Sequence, residues 1–494
     1  MTPPEWIQRG VSLLKPSDKK EKEGGAPAAR AAAPARKTPA GDDRPPRTLA
    51  ERLEATLRRH GEAMAPRTLR KALEDLQAVV DARVSEVEAG RRAHAVAQWY
   101  AGLPREERRD VWLLMSECFA PDAAKLKAAR EQFEAAPAGA PEHGQAEVRL
   151  RRALVSPRAR LLQRFAIDPE GLRFLVDLRA ELLPELKKDR RLLALDAELE
   201  QLFSTWFDVA FLELQRISWD SPASLIEKLI QYEAVHDIKS WSDVKNRLDE
   251  SDRRCYGFFH PRMPGVPLIF VEVALADAIS DSITPLLDEA ARPDAGKAAT
   301  AIFYSISNTQ AGLRGVSFGD SLIKRVVETL REEFPRLKTF ATLSPIPGLR
   351  QWVGQNAAAL LPRLPEKQAE ALGRALGSLP ATAERLLPAL DGALSLPPKS
   401  PLRQALTQFA AEFLGRALAD GRPVDAVARF HLGNGARVER LNWAADPSPK
   451  GMKQSWGLMV NYLYDLKRLD KHRALLAEGK VPVSGDVEAL MLKP

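Results

Sequence analysis

The chain reads as an α+β protein of more than one domain: an N-terminal all-α helical bundle, then a mixed α/β domain interrupted by a helical insertion. Three observations predict this. Its 494 residues are too many for one ordinary domain, and 45% apolar residues can fill more than one core. From Thr48 to about Phe203, apolar residues recur three and four apart, the helical period. After Phe203, short β-rich runs stand between helical ones.

Residues 1–47 should form a disordered basic tail, because the stretch from Gly24 to Arg47 is almost entirely Ala, Pro, Gly and Arg and cannot bury enough apolar surface to offset its ordering entropy. Residues 48–203 form the helical domain, with RTLAERLEATLRRH and DPEGLRFLVDLRAELLPELKKD as its clearest helices. Asp168 is the expected N-cap of the second, and Pro169 fits its first turn. Basic pieces such as RRALVSPRARLLQR read as solvated faces. Residues 204–494 form the α/β domain. CYGFFH and PLIFVEVAL make a hairpin through the turn MPGVP, and TAIFYSIS is a further strand. An Ala/Leu-rich helical insertion occupies about 351–425, after which ARFHL, ARVERLNW and GLMVNYLYD read as strands.

Composition narrows the function classes. No apolar run has membrane-spanning length and the first residues lack a secretory layout, so the reading is a soluble, cytoplasmic protein with no membrane partner; a eukaryotic host would also allow the mitochondrial matrix. Two distant cysteines, Cys118 and Cys255, make neither a disulfide framework nor a thiolate metal site. No HExxH, CxxC or GxSxG pattern occurs, and the expectation is no metal and no organic cofactor. A formal charge of +7 suits a polyanionic small molecule as well as nucleic acid. The 6% aromatic content and the lack of a groove-reading motif place nucleic acid last.

The stretch from Thr300 to Gly348 reads as strand, Gly-containing loop, amphipathic helix, strand and turn. Leu322, Ile323, Val326, Val327, Leu330 and Phe334 share one helix face. The preceding loop, Arg314, Gly315, Val316, Ser317, Phe318, Gly319 and Asp320, lets backbone approach a ligand, and a helix N-terminus offers free amides to a pyrophosphate. Ser344 ends the strand KTFATL before a stiff PIPG turn, where its hydroxyl could touch substrate or simply satisfy the turn. His431 closes a strand before the turn signal GNG, and histidine is the side chain most easily tuned to give up a proton near neutral pH.

The loop resembles the acyl-CoA loop of the GNAT acetyltransferase fold: Arg314 and Gly319 match its pattern, while Ser317 stands where a glycine is expected. Several separated segments, FYSISNTQAGLRGV, LSPIPG, FHLGNGARVERLNWAAD, GLMVNYLYD and EAVHDIKSW, resemble the malonyl-CoA decarboxylase family in order and content. The likeness covers all but the tail, more loosely in the helical domain. It implies a GNAT-like catalytic domain and a lyase that converts malonyl-CoA to acetyl-CoA and CO2 in fatty acid metabolism. CoA then belongs to the substrate. It further implies Ser344 as proton acceptor, His431 as proton donor, Tyr464 and Ser305 as active-site residues, and an accessory part for Lys228, whose residue-level reading is a solvated lysine on an amphipathic helix. Ser317 replaces a carboxylate common in animal relatives. The family also implies a homo-oligomer, dimer or tetramer, through the helical domain. Two other readings share the CoA loop: a GNAT acyltransferase, which needs an amine groove and a base, and a non-enzymatic acyl-CoA sensor, which needs neither Ser344 nor His431.

Overall fold

The computed structural model describes residues 63–288, 296–316, 318 and 322–493. The expected tail 1–47 and the RTLAERLEATLRRH helix lie outside the described residues, as do Ser317, Gly319 and Asp320 of the loop. The chain divides into two compact units, 1–199 and 200–494.

The described part of the first unit is helical throughout. In Pro66–Val80, Leu69, Ala72, Leu73, Leu76 and Val79 form one buried stripe, and proline takes the first turn, where its missing N–H costs nothing. Ser85 and Asp122 cap the Glu86–Ala101 and Ala123–Ala135 helices by accepting first-turn N–H bonds. Asp168 does not cap the helix as expected: Gly171–Leu182 starts later with Glu170 at the N-cap, and the Asp168 carboxylate accepts from Glu170 N at 2.9 Å inside the preceding turn. The basic RRALVSPRARLLQR segment is solvated only in part. Arg158 and Arg164 are buried, and Arg158 donates to the carbonyls of Met115 and Ala194 at 3.1 Å, joining two helical segments.

The second unit is built on an eight-stranded mixed sheet. In chain order its strands are β1 (Glu213–Ile217), β2 (Arg253–Phe259), β3 (Pro267–Ala276), β4 (Thr300–Asn308), β5 (Thr339–Thr342) and β6 (Ser344–Pro345). The short β7 (Leu418–Ala419) and β8 (Arg422–Pro423) pair separately, and β9 (Arg437–Asn442) and β10 (Met459–Leu463) complete the main sheet. β2 is buried along its whole length and β3 along all but its last residue, which explains their near-continuous apolar sequence. They form the expected antiparallel hairpin across MPGVP. β4 and β5 pair in parallel through the Leu322–Glu333 helix, which buries Leu322, Ile323, Val326, Val327 and Leu330, and this is the expected strand–loop–helix–strand unit. Helices Leu349–Leu360, Glu366–Leu376, Ala383–Ala389 and Pro401–Arg416 follow β6 as the insertion.

β10 runs antiparallel to β5, to β6 and to β9. Its register against β5 and β6 is continuous, Leu463 opposite Ala341 and Val460 opposite Ser344, so β6 carries on the line of β5 across a gap at Leu343. Inside that gap, side chains stand in for ladder bonds: Tyr462 N donates to Thr342 Oγ1 at 3.1 Å and Asn461 Nδ2 to the Thr342 carbonyl at 2.7 Å.

One expected strand is a helix. ARFHL belongs to Ala426–Gly433, with Ala428, His431 and Leu432 buried at the i, i+3, i+4 spacing, and GNG is its C-terminus, not a hairpin turn. Gly435 has φ +86°, Gly435 N donates to the Leu432 carbonyl and Ala436 N to that of His431, the two bonds of a Schellman ending. Three apolar residues in five fit either period; the left-handed glycine decides for the helix.

Candidate active site

Residues two apart on a strand share a face, and on the β5–β6/β10 ladder this puts Thr342, Ser344, Tyr462 and Tyr464 together. The Ala426–Gly433 helix lays His431 over that face. Asp425 holds it there: Oδ1 accepts from Ala428 N at 2.9 Å as the helix N-cap, while Oδ2 lies 3.4 Å from Gly348 N in the PIPG turn. One carboxylate thereby ties the serine-bearing turn to the histidine-bearing helix. Burial pushes its pKa up, against the pull of those amides.

A continuous chain of neutral polar groups results. Tyr464 Oη lies 2.7 Å from His431 Nδ1, His431 Nε2 lies 3.2 Å from Ser344 Oγ, and Ser344 Oγ donates to Thr342 Oγ1 at 2.8 Å. The Tyr462 ring stacks under the imidazole, centroids 4.7 Å apart. All of these residues are buried, Ser344 at 6% and His431 at 4% exposure. Burial disfavours the charged imidazole and lowers the His431 pKa to about 3, so the ring is neutral near pH 7; burial pushes both tyrosine hydroxyls up.

Ser305 stands apart from this chain. On β4 its hydroxyl donates to Glu233, 2.8 Å from either carboxylate oxygen. Glu233 also accepts from Ser307 Oγ at 3.2 Å and from the amides of Val235 and His236 at 2.7 and 2.8 Å. Lys228, on the Ala223–Tyr232 helix, is not merely solvated: its ammonium donates to the Gly265 carbonyl at 2.6 Å and pins the β2–β3 turn. Of the loop, Arg314 and Gly315 are exposed, Gly315 has φ +84°, Val316 is buried, and the Phe318 carbonyl accepts from Val209 N at 2.9 Å. A separate cavity of about 390 Å³ in the first unit, lined by His94, Tyr100, Arg108, Phe174 and Glu181 among others, contains none of the expected site residues.

Sequence reasoning missed Thr342, Tyr462, Asp425 and Glu233. Thr342 and Tyr462 were accessible through the two-residue period that links them to Ser344 and Tyr464. Asp425 and Glu233 had no local signal, because what defines them is a partner far along the chain. Among the described residues, no group of three or more His, Cys, Asp or Glu is placed to hold a metal ion, and no helix is long and apolar enough to cross a membrane.

Residues 210–494 match the profile of the malonyl-CoA decarboxylase C-terminal domain and residues 119–207 that of the N-terminal domain. The chain belongs to the malonyl-CoA decarboxylase family, and with it to the carboxy-lyases. The mitochondrial malonyl-CoA decarboxylase of Anser anser anser is 36% identical over 412 residues, spanning 77% of this chain and 79% of its own. The crystal structure of malonyl-CoA decarboxylase from Cupriavidus metallidurans is 42% identical with a TM-score of 0.70, covering 86% of this chain and 100% of that one. That from Rhodopseudomonas palustris is 38% identical with a TM-score of 0.72, covering 85% and 99%.

Proposed function

We propose that this member of the malonyl-CoA decarboxylase family removes the free carboxylate of malonyl-CoA as CO2 and protonates the remaining enolate through Ser344 and His431. The observation that carries the reading is the Tyr464–His431–Ser344 chain, assembled on one sheet face from residues up to 120 positions apart. Breaking the bond to the carboxylate sends its electron pair into the thioester carbonyl. The enolate then takes one proton at carbon 2, so that malonyl-CoA and one proton give acetyl-CoA and CO2. Ser344 contacts the malonyl group, His431 delivers the proton and Tyr464 orients the imidazole.

Burial keeps His431 neutral in the free chain. A malonyl carboxylate beside it favours the charged ring, so substrate binding raises the imidazole's proton affinity. We assign the Arg314–Asp320 loop to the CoA pyrophosphate and Ser305 to the anchoring of Glu233. Lys228 holds the β2–β3 turn, and no metal or organic group is needed. Cys118 and Cys255, both buried and outside any disulfide, fit a reducing compartment such as the cytoplasm. A homo-oligomer through the helical unit is part of the proposal, and a monomer mass by light scattering would remove it.

The deciding experiment follows CO2 and acetyl-CoA from malonyl-CoA with purified, chelator-treated protein beside His431→Ala and Ser344→Ala. Equal product yields from the wild type and loss in both variants support the reading. A folded wild type that binds CoA without turnover would point to an acyltransferase or a sensor.

A further inference from the structure

We propose that Thr342 is a positioning residue that sets the direction of the hydrogen-bond chain, and so keeps a proton on His431 Nε2, the nitrogen beside Ser344. This rests on the decarboxylase reading of the same site.

Thr342 is fully buried, and its Oγ1 lies where the β5–β10 ladder is interrupted. It accepts from a donor that cannot turn round, the Tyr462 amide, and from the Ser344 hydroxyl at 2.8 Å. With its proton committed to Thr342, Ser344 Oγ offers lone pairs to His431 Nε2, 3.2 Å away. A neutral imidazole has one donor and one acceptor nitrogen, so Nε2 carries the hydrogen and Nδ1 accepts from Tyr464 Oη, 2.7 Å away. That tautomer is the one a proton donor needs, since the hydrogen already faces the serine that contacts substrate. When the ring takes up the one proton the overall reaction consumes, that proton adds at Nδ1 and leaves the delivering N–H in place. Without the threonine hydroxyl, the Ser344 hydrogen has no acceptor at Thr342 and turns to Nε2. The imidazole would then hold its hydrogen on Nδ1, away from the substrate.

Thr342→Val and Thr342→Ala both delete the acceptor, one keeping the branched shape and one relieving it, and Thr342→Ser restores it. For the hydroxyl-free variants we expect kcat to fall about tenfold or more with KM within about threefold, and for Thr342→Ser near-wild-type values. A purely structural hydroxyl would affect Ser344→Ala enzyme as much as wild type. If Thr342 acts through Ser344, adding Thr342→Val to Ser344→Ala should cost nothing further. Solid-state ¹⁵N spectra of histidine-labelled protein, with the ring assigned by difference against His431→Gln, should show Nε2–H in wild type and Thr342→Ser and Nδ1–H in Thr342→Val. A wild-type ring carrying Nδ1–H, an unchanged tautomer in both hydroxyl-free variants, or kcat within twofold of wild type in either would overturn the proposal. A wild type that releases no CO2 would overturn the functional reading instead, while the tautomer still reports on Thr342.

Discussion

Ser344 and Ser305 lie on the same sheet and look alike in sequence, each with a second hydroxyl residue two positions away, Thr342 and Ser307, in a mostly apolar segment. Their surroundings are opposite in kind. Around Ser344 every partner is neutral: a threonine, an imidazole held uncharged by burial, and two tyrosines. Around Ser305 the setting is a cluster of ionisable groups. Glu233 takes two serine hydroxyls and two amides, and beyond it Glu272 and Arg247 face each other at 3.1 Å with almost no exposure, the Glu272 pKa pushed up to about 8 chiefly by burial. A neutral chain can pass a proton along without leaving a stranded charge. A carboxylate saturated by four donor groups gains by holding still, because losing any one of them exposes a buried ion.

The sharpest way to test that contrast is a pair of alanine substitutions read for both turnover and stability. Ser344→Ala should lower kcat by about a hundredfold or more while leaving the denaturation midpoint nearly unchanged. Ser305→Ala should do the reverse, destabilising the fold by about 1–2 kcal/mol with kcat within about threefold. A collapse of kcat in Ser305→Ala would merge the two regions into one site.

A second prediction breaks the neutral side by displacement. Gly435 ends the histidine-bearing helix at φ +86°, and a Cβ there would lie 2.8 Å from the Leu469 carbonyl oxygen. Gly435→Ala should cost about 1–3 kcal/mol and, by moving His431, about tenfold in kcat. Full activity in that variant would mean that the helix ending does not place the imidazole.

The smallest effect concerns pH. The rings of His431 and His236 are both held down to about 3, mainly by burial, against 6.5 when free. Between those values the unfolded chain binds protons that the folded one refuses, so stability should decline as pH falls from about 6.5 toward 3. The slope should be on the order of 1 kcal/mol per pH unit for each ring. His431→Gln should remove one ring's share in denaturant titrations at pH 6.5 and 5. An unchanged slope would show that the imidazole is not sealed from solvent.

Much of the fold was legible because it depends on local periodicity. The apolar stripe of Leu322–Glu333, the β2–β3 hairpin and the insertion helices all carry their pattern within a short window. ARFHL was misread as a strand for the same reason, since so few residues fit both periods until Gly435 adopts its left-handed conformation. At the site, Ser344, His431 and Tyr464 were legible through family resemblance. Asp425, whose carboxylate joins segments 77 residues apart, and Glu233, whose serine partners lie 72 and 74 residues away, were not.

By itself the sequence determined which residues could serve: helical and strand periods, a glycine able to end a helix, and hydroxyls and an imidazole in recognisable segments. Only the tertiary structure decided which of them meet and in what protonation state. Local pattern reports the backbone's preference over a few residues. Burial and hydrogen-bond direction depend instead on groups supplied by distant strands, and those lower the His431 pKa and set Ser344 against Thr342 while Ser305 faces Glu233.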